Sequence, residues 1–524
     1  MSTIYFLQHD LWVAIALAAL WLGCQQWTPA LGLPHRAPAL TPVLIVAGVL
    51  AGLTWAGAYL VMSDYPLTRD EHMATFDGAI FASGRLAERL PTEWAGFGRA
   101  LVPAFLMETQ GDALLVSAYL PVNAAARGLF GLIGDPALMN PLLAAIGLVL
   151  LWRIARNLLS DSPAAQWLVL GGYAVSAQVL LTAMTPYAMT GHLVLNLLWL
   201  ALLLRDKWWS HLLAMVVGVL AMGLHQFVFH PLFAAPFVLW LLLKRRWLLV
   251  AGYGAAYGAG LVLWLAWPGI VADWAGLPAA ARAPTTLAGV VESRILPLVT
   301  RIDPHTLPLM LSNLLRLVTW NAAFLLPLLL ALGPALKRRD CVVLALLGGV
   351  VLTIAAMAIL LPYQGHGWGY RYLHGLIGSL CLLAGFGYRE IAAREAVRSD
   401  GAALAMLAAS GLVIVPVALW WAQGFVRPHA ALHKIISQTD ADFVIVDDLA
   451  YPDAVDEVRN RADLSNRPLV FSRKYLGDDR IALLCARGTV AVAGAHTLAA
   501  AGMLAEPPAG TRPLAPPCCC AADD

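Results

Sequence analysis

The chain alternates long apolar segments with short polar connections from its N-terminus to about residue 422. At 1.5 Å per residue, about 20 apolar residues cross a ~30 Å hydrocarbon core, and segments of this kind recur throughout this part of the chain. The pattern predicts an all-α polytopic membrane protein with about 11–13 transmembrane helices. The predicted spans lie at 42–62, 137–155, 164–184, 187–204, 208–225, 227–243, 247–267, 313–335, 341–361, 372–388 and 402–422, with a shorter candidate span at 11–27.

Basic residues in the short connections predict the orientation of these spans. They cluster in four connections, which contain Arg153 and Arg156, Arg205 and Lys207, Lys244 to Arg246, and Lys337 to Arg339. The positive-inside rule places these connections in the cytoplasm. Four segments are then predicted to face the non-cytoplasmic side: the first large loop, 63–136, the second loop, 268–312, the short loop 362–371 and everything after 423.

Composition supports a membrane protein and excludes other classes. The chain is 60% hydrophobic and 13% charged, with a mean hydropathy of +0.71, which no ordinary soluble globular protein reaches. Its formal net charge of +2 gives no reason to expect nucleic acid as a partner. The lipid bilayer is therefore the first predicted partner of this chain.

The chain changes character after the last predicted span. Residues 440–448 form an apolar run between carboxylates, which predicts a strand, and 468–472 and 481–486 have the pattern of two more short strands. Residues 452–463 have the pattern of a charged helix. We therefore divide the chain into a transmembrane domain at 1–422, a small periplasmic α/β domain at 423–500 and a disordered tail at 501–524, which is rich in Ala, Pro and Gly.

Two adjacent carboxylates, Asp70 and Glu71, open the first large loop. Apolar residues at 73, 76, 80 and 81 follow at helical spacing, which predicts an amphipathic helix along the membrane interface. Both carboxylates would lie at its N-terminus, where the helix dipole favours negative charge, and an ionised carboxylate there can act as a base. The alternative is that both side chains only solvate an interfacial helix.

These features together resemble the GT-C superfamily of membrane glycosyltransferases, in particular bacterial relatives of protein O-mannosyltransferases and aminoarabinose transferases. The resemblance depends on Asp70-Glu71 after an opening span, on the Ala-x-x-x-Ser-Gly-Arg segment that ends at Arg85, on the alternating topology and on the segment from Gly367 to Tyr372. As architecture it covers roughly residues 40–390, and its specific motifs are two short stretches.

The resemblance implies an enzyme that moves a hexosyl or pentosyl group from a polyprenyl-phosphate carrier to a cell-envelope acceptor, which would be a lipid, a glycan or a protein. Transfer would occur at the periplasmic face of a bacterial inner membrane, with inversion at the anomeric carbon. No cofactor is required by this chemistry, a divalent cation is a possible addition, and the sequence predicts no protein metal site.

An inverting transfer needs a base for the acceptor hydroxyl and a cation for the departing lipid phosphate. Asp70 is our first choice for the base, and Glu71 would point about 100° away around the helix axis. Arg371 is our choice for the phosphate, because its planar guanidinium matches phosphate oxygens. The alternative for Arg371 is an anchor at the membrane interface.

Four further residues are candidates for binding substrate. Trp368 and Tyr370 flank Arg371 and have rings that can stack on sugar or isoprenoid. His366 lies in the same loop, and Arg85 ends the second motif.

Two other functions remain open at this stage. A transporter or a flippase for lipid-linked sugars would also be polytopic and apolar, but transport usually needs ionisable groups near the bilayer midplane. The predicted spans carry almost no charge at their centres, which favours the enzyme. A non-catalytic scaffold that presents the C-terminal domain is the third possibility.

Overall fold

The computed structural model describes residues 2–27, 29, 32–109, 113–277 and 304–504. The helices are α1 Ser2–Gln26, α2 Leu40–Leu60, α3 Arg69–Ala82, α4 Gly98–Leu101, α5 Val122–Ile133, α6 Met139–Leu158, α7 Pro163–Ala174, α8 Ala177–Ala183, α9 Met189–Arg205, α10 Trp208–Met222, α11 Phe229–Leu243, α12 Trp247–Trp274, α13 Thr306–Thr319, α14 Leu325–Leu330, α15 Gly333–Lys337, α16 Cys341–Leu360, α17 Ile377–Ala409, α18 Val415–Ser437, α19 Asp478–Arg487 and α20 Ala495–Ala500. The strands are β1 Glu88–Arg89, β2 Leu114–Leu115, β3 Phe443–Val446, β4 Leu469–Ser472 and β5 Val490–Ala493.

The predicted polytopic helical architecture is confirmed. Among the described residues, seven helices are long and apolar enough to cross a membrane, or up to eight if a bent helix pair counts as one span. Six shorter apolar helices accompany them, and these include α9, α10 and α11, which have 17, 15 and 15 residues. At 1.5 Å per residue these three helices are about 22–26 Å long, so they fall short of a full span by length alone.

The span predicted at 164–184 coincides with the helices α7 and α8, which together are long and apolar enough for one span. The structure adds a bend of 47° between them. The bend occurs where the Ser176 side chain accepts a hydrogen bond from the Val179 N–H and begins a new helix. Helix α12 continues through Pro268 to Trp274, so the predicted loop at 268–312 begins with helical residues, and its bounds stay a prediction. Residues 278–303 of that loop lie outside the described residues.

The described chain forms two compact units. The first contains the described residues of 2–57, 137–265 and 304–421, and the second contains those of 58–136, 266–277 and 422–504. The first unit is a helical bundle with an apolar core. Its largest fully buried side chains include Trp199, Trp320, Tyr173 and Tyr370.

The second unit joins the first large loop to the C-terminal segment. Helices α3 and α5 pack closely because Gly78 and Gly128 meet at their crossing. A Cβ on Gly128 would lie 2.6 Å from the Gly78 carbonyl oxygen, so Gly128 has no room for a side chain without a shift of the backbone. The close contact fixes α3, which carries Asp70 and Glu71.

The C-terminal part of this unit is a three-stranded parallel sheet in the order β4-β3-β5. In register, Phe443 pairs with Leu469 and with Val490. Alternate residues point to opposite faces. Phe443 and its neighbours on one face share a hydrophobic core with α3 and with Trp94 of the first loop, while Val444 and Val446 on the other face pack near Leu432 of α18. The first loop and the C-terminal sheet are thus built around one core.

The small α/β fold near the C-terminus is confirmed, but two of its predicted elements are wrong. Residues 481–486 belong to helix α19, and the third strand is β5, at Val490–Ala493. The charged helix predicted at 452–463 is only a 3₁₀ turn, Pro452–Glu457. The tail after residue 504 lies outside the described residues, so its predicted disorder stays a prediction.

Candidate functional site

Helix α3 begins at the predicted place and has an identifiable cap. Thr68 is the N-cap residue, and its hydroxyl accepts a hydrogen bond from the Glu71 N–H at 3.3 Å. An N-cap threonine satisfies one of the backbone N–H groups that have no partner inside the helix, and so fixes where α3 begins.

Two buried arginines fix the start of α3 to the C-terminal segment. Arg69 donates hydrogen bonds to the carbonyl oxygens of Val455 and Val458, the latter at 2.8 Å, and its Nε lies 3.7 Å from the Asp456 carboxylate. Arg459 donates to the Leu67 carbonyl at 3.3 Å. A planar guanidinium donates hydrogen bonds in fixed directions, so its bonds to backbone carbonyl oxygens hold the two segments in one position. The C-terminal segment therefore holds the turn that carries Asp70.

Glu71 is a buried carboxyl group. Glu71 is 1% exposed, and neither of its carboxylate oxygens makes a hydrogen bond within the described part of the chain. Burial raises the pKa of Glu71 to about 8, although the backbone N–H groups of Leu67 and Thr68 and the charge of Arg459 act in the opposite direction. At neutral pH Glu71 is therefore mostly protonated, which does not suit a base.

Asp70, in contrast, is half-buried, and a phenol orients its carboxylate. The Tyr119 hydroxyl donates a hydrogen bond to Asp70 Oδ1. Tyr119 itself packs against Phe105, with ring centroids 5.1 Å apart. A hydrogen bond from a neutral donor stabilises the ionised form of a carboxylate and fixes its orientation. Asp70 thus has the accessibility and the support that a base needs.

Asp77 is a third carboxylate of α3, and the sequence analysis did not assign it a role. It is buried, and it accepts hydrogen bonds from the Ser117 N–H, at 2.9 Å, and from the Ser117 hydroxyl. Burial raises the pKa of Asp77 to about 6, partly offset by these two bonds. The bonds fix the segment that continues to Tyr119, so Asp77 helps to place the partner of Asp70.

Arg85 lies on the surface just after α3. Its Nη1 forms an ion pair with Glu88, and its Nε donates to the Ser83 hydroxyl at 3.0 Å. Its side chain is about half exposed, so the structure neither supports nor opposes the prediction that it binds substrate.

Arg371, in the first unit, begins the 3₁₀ segment Arg371–Leu376. Its backbone N–H donates to Gln364 Oε1 at 3.0 Å, and its guanidinium lies 3.2 Å from the Tyr372 hydroxyl and 3.4 Å from the Tyr187 hydroxyl. The side chain is half-buried between these two phenol rings. The two phenols orient the guanidinium, whose planar fork of donors matches phosphate oxygens.

Arg316 is a second arginine at this loop, and the sequence analysis missed it. It is buried, donates to the Gly367 carbonyl oxygen, and has its Nε 3.7 Å from Asp10 Oδ2. Asp10 also accepts hydrogen bonds from Thr319, at 2.9 Å, and from Trp320, at 2.7 Å. The predicted span at 11–27 excluded Asp10, which in fact lies inside helix α1, so the buried pair could not be recognised.

The three other candidates in this loop have different environments. Trp368 is 2% exposed and Tyr370 is 0% exposed, and the Tyr370 ring is part of the apolar core of the first unit. The prediction that these rings stack on substrate therefore gains no support. His366 is half-buried, and its carbonyl oxygen accepts a hydrogen bond from Tyr187 at 3.1 Å.

A metal site was not predicted for the protein. In the part of the chain that the structure describes, no three His, Cys, Asp or Glu side chains are grouped so that they could hold a metal ion. A divalent cation that accompanies the substrate stays a separate prediction.

The fold is similar to that of a known membrane enzyme. ArnT from Cupriavidus metallidurans, bound to undecaprenyl phosphate, matches with a TM-score of 0.52 at 15% sequence identity, over 89% of this chain and 88% of that chain. The same protein in the apo state matches with a TM-score of 0.53 at 14% identity, over 89% and 96% of the two chains. No protein-family model matches the chain, and no curated protein matches it in sequence.

The likeness to ArnT extends over nearly the whole of both chains. The chain therefore shares the fold of ArnT and has a small sheet near its C-terminus. Identities of 14–15% establish this shared fold alone.

Proposed function

We propose that this protein is an inverting glycosyltransferase that moves a sugar from a polyprenyl-phosphate carrier to an acceptor of the cell envelope at the periplasmic face. The observation that carries the proposal is the match of fold to ArnT, which has been solved with undecaprenyl phosphate bound. The orientation of the carboxylates of α3 and of Arg371 toward the periplasm follows from the positive-inside rule.

Asp70 is the proposed base. In an inverting transfer, the acceptor hydroxyl attacks the anomeric carbon while a carboxylate removes its proton, and the bond to the carrier phosphate breaks. Positioned bases of this kind contribute roughly 10²- to 10⁴-fold to rate. The half-exposed carboxylate of Asp70 and its hydrogen bond from Tyr119 support this role. The burial of Glu71 and its raised pKa favour Asp70 over Glu71.

Arg371 is the proposed contact for the carrier phosphate. The leaving group departs with additional negative charge, and a guanidinium stabilises such charge through two parallel hydrogen bonds. The contacts of Arg371 with Tyr187 and Tyr372 support the role because they orient its guanidinium. Trp368, Tyr370, His366 and Arg85 have no function in this proposal beyond packing or surface contacts.

Binding of the carrier tests the proposal independently of the sugar. Purified protein should bind undecaprenyl phosphate, and Arg371→Ala should weaken that binding while the melting temperature stays unchanged. Binding by the variant that equals the wild type would remove Arg371 from the phosphate site. Activity before and after treatment with EDTA would show whether a divalent cation takes part.

A transporter or flippase of lipid-linked sugars is the second candidate, and one observation favours it. The Asp10–Arg316 pair is an ionisable pair buried among the helices of the first unit, which is a common feature of transport proteins. An assay in proteoliposomes distinguishes transport from sugar transfer. Proteoliposomes that move a lipid-linked sugar across the bilayer without releasing polyprenyl phosphate would support transport and contradict the transferase.

A further inference from the structure

A basic groove lies in the second unit, at the end of the last long helix. It is an open cavity of about 450 Å³. One wall is the turn after α2, and the other is a single face of α18, because the residues on that side follow one another at intervals of three or four. The lining residues are Ser63, Asp64, Tyr65, Arg427, Ala430, Ala431, His433, Lys434 and Ser437.

The groove lies at the edge of the membrane-spanning helices. Helix α2 ends at Leu60, and the Gln423 side chain of α18 donates a hydrogen bond to the Leu60 carbonyl at 2.9 Å. Arg427 follows Gln423 by one helical turn, and Lys434 lies two turns further along the same face. Basic side chains just beyond the end of a span are at the depth of lipid headgroups.

The charges of the groove favour an anion. Arg427 and Lys434 are exposed, and within the described ranges neither forms an ion pair. His433 is half-buried, and its Nδ1 has no hydrogen-bond partner in the described part of the chain. Asp64 is the one acidic side chain among the nine that line the groove. Two unpaired cations facing one carboxylate leave a net positive site that has room for a phosphate.

The surroundings favour a lipid over a free phosphate. Leu60 is 71% exposed and Ile435 is 36% exposed, so apolar side chains flank the basic ones. An apolar surface next to a cationic one matches a phospholipid, whose acyl chains and phosphate are joined. The small side chains of Ala430 and Ala431 leave space for the glycerol part of the headgroup.

We propose that this groove binds the phosphate of an anionic phospholipid of the phosphatidylglycerol class, with Arg427 and Lys434 as its cationic contacts. The site does not depend on the proposed sugar transfer, and it stands if that function is wrong. Each cation near a lipid surface contributes about 1 kcal/mol, which is roughly fivefold in affinity.

The experiment measures lipid binding to the purified full-length protein by native mass spectrometry. Its arms use phosphatidylglycerol, phosphatidylcholine and inorganic phosphate. Arg427→Gln/Lys434→Gln should weaken phosphatidylglycerol binding by roughly 25-fold, and Asp64→Asn should strengthen it by a few-fold, because the repelling charge is removed. The control, Lys337→Gln/Arg339→Gln, removes two exposed cations from a different connection. Its affinity for phosphatidylglycerol at the groove should equal that of the wild type.

Each outcome decides the proposal. Selective loss in the Arg427/Lys434 variant, with a melting temperature like that of the wild type, supports it, and Asp64→Asn gives an independent readout if that variant is unstable. Equal losses in the control variant would mean non-specific attraction to basic surfaces. Phosphatidylcholine that binds as tightly as phosphatidylglycerol, or inorganic phosphate that binds as tightly as the lipid, would overturn the anionic-lipid assignment.

Discussion

At the start of α3 and in the loop around Arg371, a buried arginine holds the backbone next to a charged residue that stays partly accessible. The partners of the buried arginine differ between the two regions. At α3, the buried Arg69 holds backbone carbonyls of the C-terminal segment, and the neighbouring Asp70 stays half-exposed. In the other loop, the buried Arg316 holds the Gly367 carbonyl, and Arg371 stays half-buried between phenols. In each region one charged group fixes the backbone while another keeps some access to solvent.

The difference between the regions lies in what compensates the buried charge. Arg316 faces a carboxylate, Asp10, inside a helical bundle, whereas Arg69 relies mainly on peptide carbonyls and on the more exposed Asp456. Glu71, next to Asp70, has no cation within ion-pairing distance in the described residues and is protonated instead. The comparison shows that charge alone does not identify a functional residue, because burial decides which member of each pair can react.

The largest expected effect separates the two carboxylates of α3. Asp70→Asn should lower sugar transfer by roughly 10²- to 10⁴-fold, because the base is lost. Glu71→Gln should keep activity within about tenfold of the wild type at pH 7, since Gln resembles the protonated Glu71 that burial favours. Transfer rates of membranes that contain equal amounts of each variant provide the measurement. An active Asp70→Asn protein together with an inactive Glu71→Gln protein would reverse the assignment.

The next effect is on the free energy of unfolding and concerns the buried pair of Asp10 and Arg316. Arg316→Met leaves the buried Asp10 with His9, at 3.3 Å, as its remaining basic neighbour, which should cost roughly 3–5 kcal/mol of unfolding free energy. The double variant Asp10→Leu/Arg316→Met should recover much of this loss, because no uncompensated charge remains. Thermal unfolding of the purified proteins measures both. A double variant that is no more stable than Arg316→Met would mean that the ion pair is not what the first substitution disturbs.

A smaller effect tests Arg371, the half-buried arginine of the same loop. Arg371→Ala should lower transfer by about 10²-fold, the size expected for loss of one donor group to a developing negative charge. Arg371→Lys should recover only part of the activity, because an ammonium lacks the planar fork. Both proteins should melt near the wild-type temperature. A fully active Arg371→Ala protein would leave this residue with its alternative role as an interface anchor.

The smallest effect is a pH dependence of stability. The pKa of Glu71 is higher in the folded chain, at about 8, than in the unfolded chain, so the folded state binds the proton more tightly. Stability should therefore fall as the pH rises through 8, by roughly 1–2 kcal/mol between pH 7 and pH 9. Asp77, with its pKa raised to about 6, is ionised across this window. Glu71→Gln should flatten the curve, and an unchanged slope would contradict the assignment to Glu71.

The sequence predicted the helical membrane fold and the place where α3 begins, because apolar periodicity and the adjacent carboxylates are local signals. It did not predict which carboxylate is buried. Asp70 and Glu71 are adjacent, and their difference comes from packing against the C-terminal segment almost 400 residues away, as the contact of Arg69 with Val458 illustrates. Local patterns carry no information on such long-range contacts.

The same limit explains the other errors. The role of Arg316 was missed because its partner, Asp10, is some 300 residues distant in sequence. Residue type alone suggested substrate contacts for Trp368 and Tyr370, which stay a prediction, and it could not show that both rings are buried. Residues 481–486 have the apolar content of a strand, yet the helix α19 forms there because its apolar face covers the sheet.

The most direct test of the central claim is the release of polyprenyl phosphate from its sugar. The purified protein is incubated with a panel of undecaprenyl-phosphate-linked sugars and a cell-envelope extract, and free undecaprenyl phosphate is measured by mass spectrometry. The account predicts that the wild-type protein releases it from at least one donor, and that Asp70→Asn, folded and bound to the carrier, does not. Release that Asp70→Asn sustains at the wild-type rate, or no release from any donor, would contradict it.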